Sequence, residues 1–172
     1  MAVKQILTEP NEILRQISKP VKSVSKEDQV LMDDMLETMY AANGIGLAAI
    51  QIGIAKRIIV MDLSRDNEKK EPRYFVNPVI QNKDSEKSTY EEGCLSVPNQ
   101  FAEIDRPKRC VVEYLDYNGD KKTLNAEGLL ATCIQHEMDH LEGILFIDYL
   151  SKLKKSIIIK KLSKIKSNRI VV

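Results

Sequence analysis

Both histidines of the chain lie four residues apart, in His136-Glu137-Met138-Asp139-His140. On a helix, that spacing puts two imidazoles one turn apart on one face, with a carboxylate beside the first. Leu129, Leu130, Ile134, Leu141 and Leu145 flank the segment. The pattern predicts a largely buried helix from about Gly128 to Leu141, with Gly143 placed to stop it. A buried helix does not turn two histidines and a glutamate inward without a partner for them. One metal ion satisfies all three: His136 and His140 as ligands, Glu137 to hold and deprotonate the water that the ion activates. HExxH also occurs by chance in unrelated proteins as a charged surface turn. The apolar flanks favour the metal.

Two histidines do not complete a catalytic site, which commonly has three protein ligands and one place left for water. No further histidine exists, and the downstream carboxylates Glu142 and Asp148 lie too close to serve as a long-spaced third ligand. Cys94, in Glu91-Glu92-Gly93-Cys94-Leu95-Ser96-Val97-Pro98, is the better candidate. Gly93 permits a tight backbone there, Pro98 marks an extended exit, and a thiolate is a strong ligand for Fe(II) or Zn(II). Cys110 sits in a strand pattern and reads as a small buried hydrophobe. Cys133 shares the face of His136 and is expected to pack near the site without ligating.

Elsewhere the pattern is mixed. Pro10 and Pro20 punctuate an extended or looped N-terminus. Ser25 offers an N-cap, Glu27 and Asp28 follow in the first turn, and Leu31, Met35 and Met39 recur every four residues. This predicts a helix over about Lys26 to Ala42 that ends at Asn43-Gly44. Arg57 to Asp62, Tyr74 to Ile80 and Arg109 to Tyr117 read as strands, with Pro78 suggesting an edge position or a bulge. Asn118-Gly119 turns the last of these into a partner over Lys121 to Leu124. A third helix, near residues 150–168, carries Leu153, Ile157, Leu162 and Ile165 on one side and lysines on the other. No repeat or linker divides the chain, so residues 1–172 read as one catalytic domain. The expected class is α+β: short antiparallel β-sheets packed around a central metal-binding helix, with an N-terminal and a C-terminal helix.

The charge is unevenly spread. The chain carries 26 Lys or Arg against 25 Asp or Glu. From Lys152 to Arg169 there are eight basic residues and no acidic one, leaving the body at −7. Such a split points to an anionic partner for one end. The bland reading is an amphipathic helix that packs Leu153, Ile157 and Leu162 on the body and solvates its lysines. The sharper one adds docking near the ribosome's exit; no sequence-specific nucleic-acid site is expected. Three cysteines in a chain of this length do not read as a disulfide framework. The N-terminus lacks the features of a signal or transit peptide, and no apolar run is long enough for a membrane span. The expected location is cytoplasmic.

A third segment carries chemistry only in combination. Gly44-Ile45-Gly46-Leu47-Ala48-Ala49-Ile50-Gln51 is small-sided enough for another chain to approach its backbone closely. It is not a phosphate loop, because neither the preceding strand nor a GK[ST] is present. Together with Glu92-Gly93-Cys94-Leu95-Ser96 and Gln135-His136-Glu137-Met138-Asp139-His140, it resembles the peptide deformylase family. That family carries GφGφAAxQ (φ apolar), EGCLS and QHExDH in this order. The likeness runs from the ILTEPNEILR start to LEGILFIDYLS.

The resemblance implies removal of the N-formyl group from the starting methionine of new polypeptides in a bacterial-type cytoplasm. Cys94, His136 and His140 would hold the metal, physiologically Fe(II), with Zn(II), Ni(II) or Co(II) possible. Glu137 would be the general base, and Gln51 with the backbone N–H of Leu95 would steady the oxyanion. Backbone groups of Ile45, Gly46 and Gly93 would pair with the substrate. Ile45, Leu129, Thr132, Cys133 and His136 would line the methionine pocket, and Glu92 with Arg106 would form a supporting ion pair. Tyr90 stands where an aliphatic residue is common in the family, and Phe101 where a basic one is.

Two rivals remain open at the level of residues. A zinc endopeptidase of the HExxH type would cleave internal peptide bonds and take a downstream third ligand. A non-catalytic ribosome- or RNA-binding protein would close its metal site with four protein ligands.

Overall fold

A computed structural model describes residues 1–170, with side chains through residue 164. Helix α1 spans Lys26–Ala41. Strands follow at Gly46–Ala48 (β1), Ile58–Met61 (β2), Arg73–Lys83 (β3), Lys87–Cys94 (β4), Val97–Pro107 (β5), Arg109–Leu115 (β6) and Lys121–Glu127 (β7). Helix α2 is Gly128–Leu141, and α3 is Lys152–Ile170. Short 3-10 turns occupy Glu12–Arg15, Ala49–Ile52 and Phe146–Tyr149. Five strands form one antiparallel sheet in the order β1-β2-β3-β6-β7, and β4 pairs with β5 as a separate hairpin.

Alternation along the central strands divides the core. Ile59, Met61 and Phe75 face α2 and pack with Ala131, Ile134 and Leu141. Ile58, Val60 and Val76 face the other way, onto Leu31, Met32, Met35 and Met39 of α1. A two-residue period therefore puts one helix on each side of the sheet. A third cluster joins Val97 and Ile104 of β5 to Phe146, Ile147, Ile158 and Leu162. The α+β architecture around a central α2 is the one expected.

Local chemistry accounts for the ends of the helices. Ser25 and Asp28 form a reciprocal capping box at the start of α1, and Asn43 follows its end at φ 56°. The last carbonyl of α2, on Leu141, accepts from the Ser18 N–H and from Arg57. Gly143 then turns at φ 71°, where an added Cβ would lie 2.4 Å from the Arg15 carbonyl oxygen.

Some expectations are corrected and others refined. Pro78 is not at an edge, because β3 lies between β2 and β6; of the two expected settings the bulge is the one observed. A break in register between Val76 and Val79 accommodates it, with Asn77 in the left-handed region and its amide paired to both backbone groups of Val21. The 87–107 hairpin had no place in the sequence reading. Its buried positions include Glu92 and Arg106, so the apolar alternation that marks a strand is missing. The small-sided 46–48 segment is a short buried strand at the edge of the five-stranded sheet, and Gly46 admits the Glu137 carboxylate close to its backbone, as small residues allow. Finally, Leu162 is buried as expected, but Leu153 and Ile157 are 71% and 44% exposed, and Ile158 takes their place beside Leu162. Ile165 lies outside the described side chains.

Candidate active site

Three elements converge on the face of α2 that carries the histidines. Residues 131–137 and His140 are all buried, so the polar groups of this turn point into the protein. Strand β1 crosses them through Gly46, where an added Cβ would stand 2.5 Å from Glu137 Oε1. Only glycine lets the strand and the carboxylate lie this close. The β4–β5 hairpin closes the third side. Cys94 pairs with Val97 while Gly93 pairs with Phe101, so the register breaks between Gly93 and Cys94. A bulge re-aims a side chain in this way, and here it directs the Cys94 sulfur to 3.4 Å from His140 Nε2.

One potential ligand atom from each of Cys94, His136 and His140 lies within 4.8 Å of the others. The donor set fits a divalent metal ion on three counts. Sulfur and two imidazoles suit iron or zinc. The Glu92 carboxylate takes His136 Nδ1 at 2.8 Å, which fixes the tautomer and frees the other nitrogen for an ion. Among the described residues, Glu137 Oε2 is a buried polar atom with no hydrogen-bond partner, an arrangement that a charged guest with its water relieves. Cys133 lines the same cavity but is not among the three converging residues, and Cys110 is buried in β6.

Electrostatics sharpen the roles. Burial pushes the Glu137 carboxyl up to about 7, in the range where a base works near neutrality. Burial alone would also raise Glu92, but hydrogen bonds from His136 and Arg106 outweigh it and hold that carboxylate below its usual range. Arg106, itself 4% exposed, gives Nε and Nη2 to Glu92 at 2.7 and 2.9 Å and Nη1 to Asp139 at 2.8 Å. Burial raises the Cys133 thiol well above its ordinary value, so it stays neutral.

The other expected residues border one cavity of about 510 Å³. Ile45, Gly46, Gly93 and Leu95 line it together with Leu129, Thr132, Cys133 and His136. Gln51 is buried and held at both ends. Its oxygen accepts from the Ala48 N–H at 2.9 Å, and its Nε2 reaches Ser96 Oγ at 3.0 Å and Cys94 Sγ at 3.6 Å. Tyr90 and Phe101 also border the cavity. The Phe101 ring covers Gly93 so closely that a Cβ there would meet it at 2.6 Å.

Sequence reasoning missed three contributors. Ser96 anchors Gln51, Phe146 stacks on His136 with ring centroids 6.1 Å apart, and Tyr149 donates to Asp139 at 2.7 Å. Only Ser96, inside the EGCLS motif, had a local signal.

Comparison with known proteins agrees. A family model described as polypeptide deformylase matches residues 3–156. The peptide deformylase of Pelagibacter ubique (strain HTCC1062) is 78% identical over 172 residues, covering 100% of both chains. The crystal structure of the Ehrlichia chaffeensis peptide deformylase superposes with a TM-score of 0.94 at 42% identity, over 98% of this chain and 99% of that one. The Legionella pneumophila structure gives 0.91 at 43%, over 98% of each. With family model, relatives and fold in accord along nearly its whole length, the chain belongs to the peptide deformylase family.

Proposed function

We propose that Cys94, His136 and His140 hold one divalent ion, Fe(II) by preference, and that Glu137, Gln51 and Leu95 carry out deformylation beside it. The reaction is that of the family: hydrolysis of the N-formyl amide of a methionyl polypeptide, releasing formate. The observation that carries the assignment is the meeting of one sulfur and two imidazoles beneath a buried carboxylate.

When bound, the ion supplies Lewis acidity, making water acidic near neutral pH and polarising the formyl carbonyl. Glu137 takes the proton of the attacking water and delivers it to the departing amine, a role suited to its raised value of about 7. Gln51 Nε2 and the Leu95 N–H donate to the oxygen that gains charge. Ser96 and Ala48 hold the Gln51 amide, so it needs no reorganisation during the reaction. Backbone groups of Ile45, Gly46 and Gly93 pair with the substrate as an added strand. Ile45, Leu129, Thr132, Cys133 and His136 take the methionine side chain, whose burial supplies binding energy remote from the small formyl group. Burial keeps the Cys133 thiol neutral, so it adds no charge to that pocket.

Residues 1–172 act as one catalytic domain in the cytoplasm. Among the described residues no helix is long and apolar enough to cross a membrane. The basic 150–168 segment docks near the ribosome's exit, motivated by the eight basic residues and no acidic one from Lys152 to Arg169. Anaerobic Fe(II)-loaded protein should release formate from formyl-Met-Ala-Ser and leave a blocked internal peptide intact. Cleavage of the internal peptide alone would make it an endopeptidase.

A further inference from the structure

The four-residue chain behind His136 ends at the protein surface, on the turn that leads into α3. Glu92 holds His136 Nδ1, Arg106 holds both oxygens of Glu92, and Asp139 accepts Arg106 Nη1 and the Tyr149 hydroxyl on the same oxygen, Oδ2. The Tyr149 ring also covers the Arg106 guanidinium, 5.0 Å from ring centroid to carbon. The same turn stacks Phe146 on His136. Its start is fixed by Asp148, whose Oδ2 accepts from the Leu145 N–H and from Arg15, and whose Oδ1 accepts from Lys155.

From this arrangement we infer that Tyr149 is a positioning residue for the metal centre, holding His136 in its ligating orientation through Asp139, Arg106 and Glu92. The inference rests on the metal-site reading given above. Arg106 is a buried cation whose charge is met by two carboxylates, and an ion of this kind adopts the geometry that best satisfies all its donors. Tyr149 sets one end of that geometry twice over. Its hydroxyl fixes the Asp139 oxygen that Arg106 must reach, and its ring keeps water from the guanidinium face. Moving Asp139 pulls Arg106, and Arg106 carries Glu92 with it. Groups that orient a ligating imidazole change metal affinity or activity by about 10–100-fold. Tyr149 lies further out, on a partly solvated carboxylate, so the loss of its hydroxyl alone has a smaller effect.

The test uses full-length protein loaded with Zn(II) and challenged with excess chelator, with metal release followed over time. Tyr149→Phe keeps the ring and removes only the hydroxyl; it should lose Zn(II) about 3- to 10-fold faster than wild type. Tyr149→Ala removes both contacts and should lose it about 10- to 100-fold faster. Lys155→Met breaks an ion pair on the same turn without touching the relay; it should lower the melting temperature yet release metal at the wild-type rate. On a formyl peptide, Tyr149→Phe should lower kcat with KM unchanged. Wild-type release from both Tyr149 variants would overturn the inference, as would equal acceleration in Lys155→Met, which would mark mere loosening of the turn. Wild-type protein that takes up no Zn(II) would instead overturn the metal-site reading beneath it.

Discussion

At the residue scale, the site depends on which groups are allowed to touch. Glu137 is buried, has no hydrogen-bond partner on Oε2 among the described residues, and packs against the one residue of β1 without a side chain. Glu137→Ala should keep the metal and lose turnover by about 10²–10⁴-fold, the usual worth of a positioned proton carrier; steady-state formate release and metal content measure the two halves. Gly46→Ala drives a methyl into that carboxylate, and a displacement on this scale should cost about 10²-fold in kcat with the fold retained. Unchanged turnover in Gly46→Ala would mean that Glu137 needs no such placement. The Cys94, His136 and His140 cluster was legible because histidine and cysteine are rare in this chain and their chemistry is specific. Phe146 and Tyr149 were not. Their residue types serve packing everywhere, and only the folded contacts single them out.

At the scale of elements, the helices were legible and the β4–β5 hairpin was not. Helix α1 announces itself through Ser25, its acidic first turn and a four-residue apolar period. Ser25→Ala should cost about 1 kcal/mol in denaturant unfolding. Asp28, the other half of the cap, adds a pH dependence. Burial raises its pKa, but hydrogen bonds from Lys56 and Ser25 prevail and set it below 3.8. A carboxylate depressed in the native state contributes stability above its unfolded pKa and loses it as pH falls through the native one. Asp28→Asn should therefore be less stable than wild type at pH 7, with the gap closing towards pH 2. A gap independent of pH would assign the effect to packing. The hairpin escaped notice because its inward face carries a buried ion pair, Glu92–Arg106, where a sheet reading looks for apolar residues. Its irregular register near Cys94, which aims the sulfur, leaves no mark in a one-dimensional pattern.

At the scale of the molecule, three layers and a hairpin bring together motifs some 40 residues apart, and the basic helix is fastened beside them. The amphipathic reading of α3 placed Leu162 rightly and Leu153 and Ile157 wrongly, since a run of three isoleucines at 157–159 hides which one turns inward. Exposed Leu153 and Ile157, with Lys160 and Lys161 nearby, form the outward surface available to a partner. Charge reversal at Lys160 and Lys161 should reduce the salt dependence of ribosome binding by about one unit of slope per lysine, while hydrolysis of a short formyl peptide stays unchanged. Equal ribosome affinity would remove the docking role. The centre itself is tested most directly by X-ray absorption at the metal edge on anaerobically loaded protein. One sulfur and two imidazole nitrogens from the protein, with sulfur scattering abolished in Cys94→Ser, is the expected result. A coordination sphere without sulfur, or one closed by a fourth protein ligand, would contradict it.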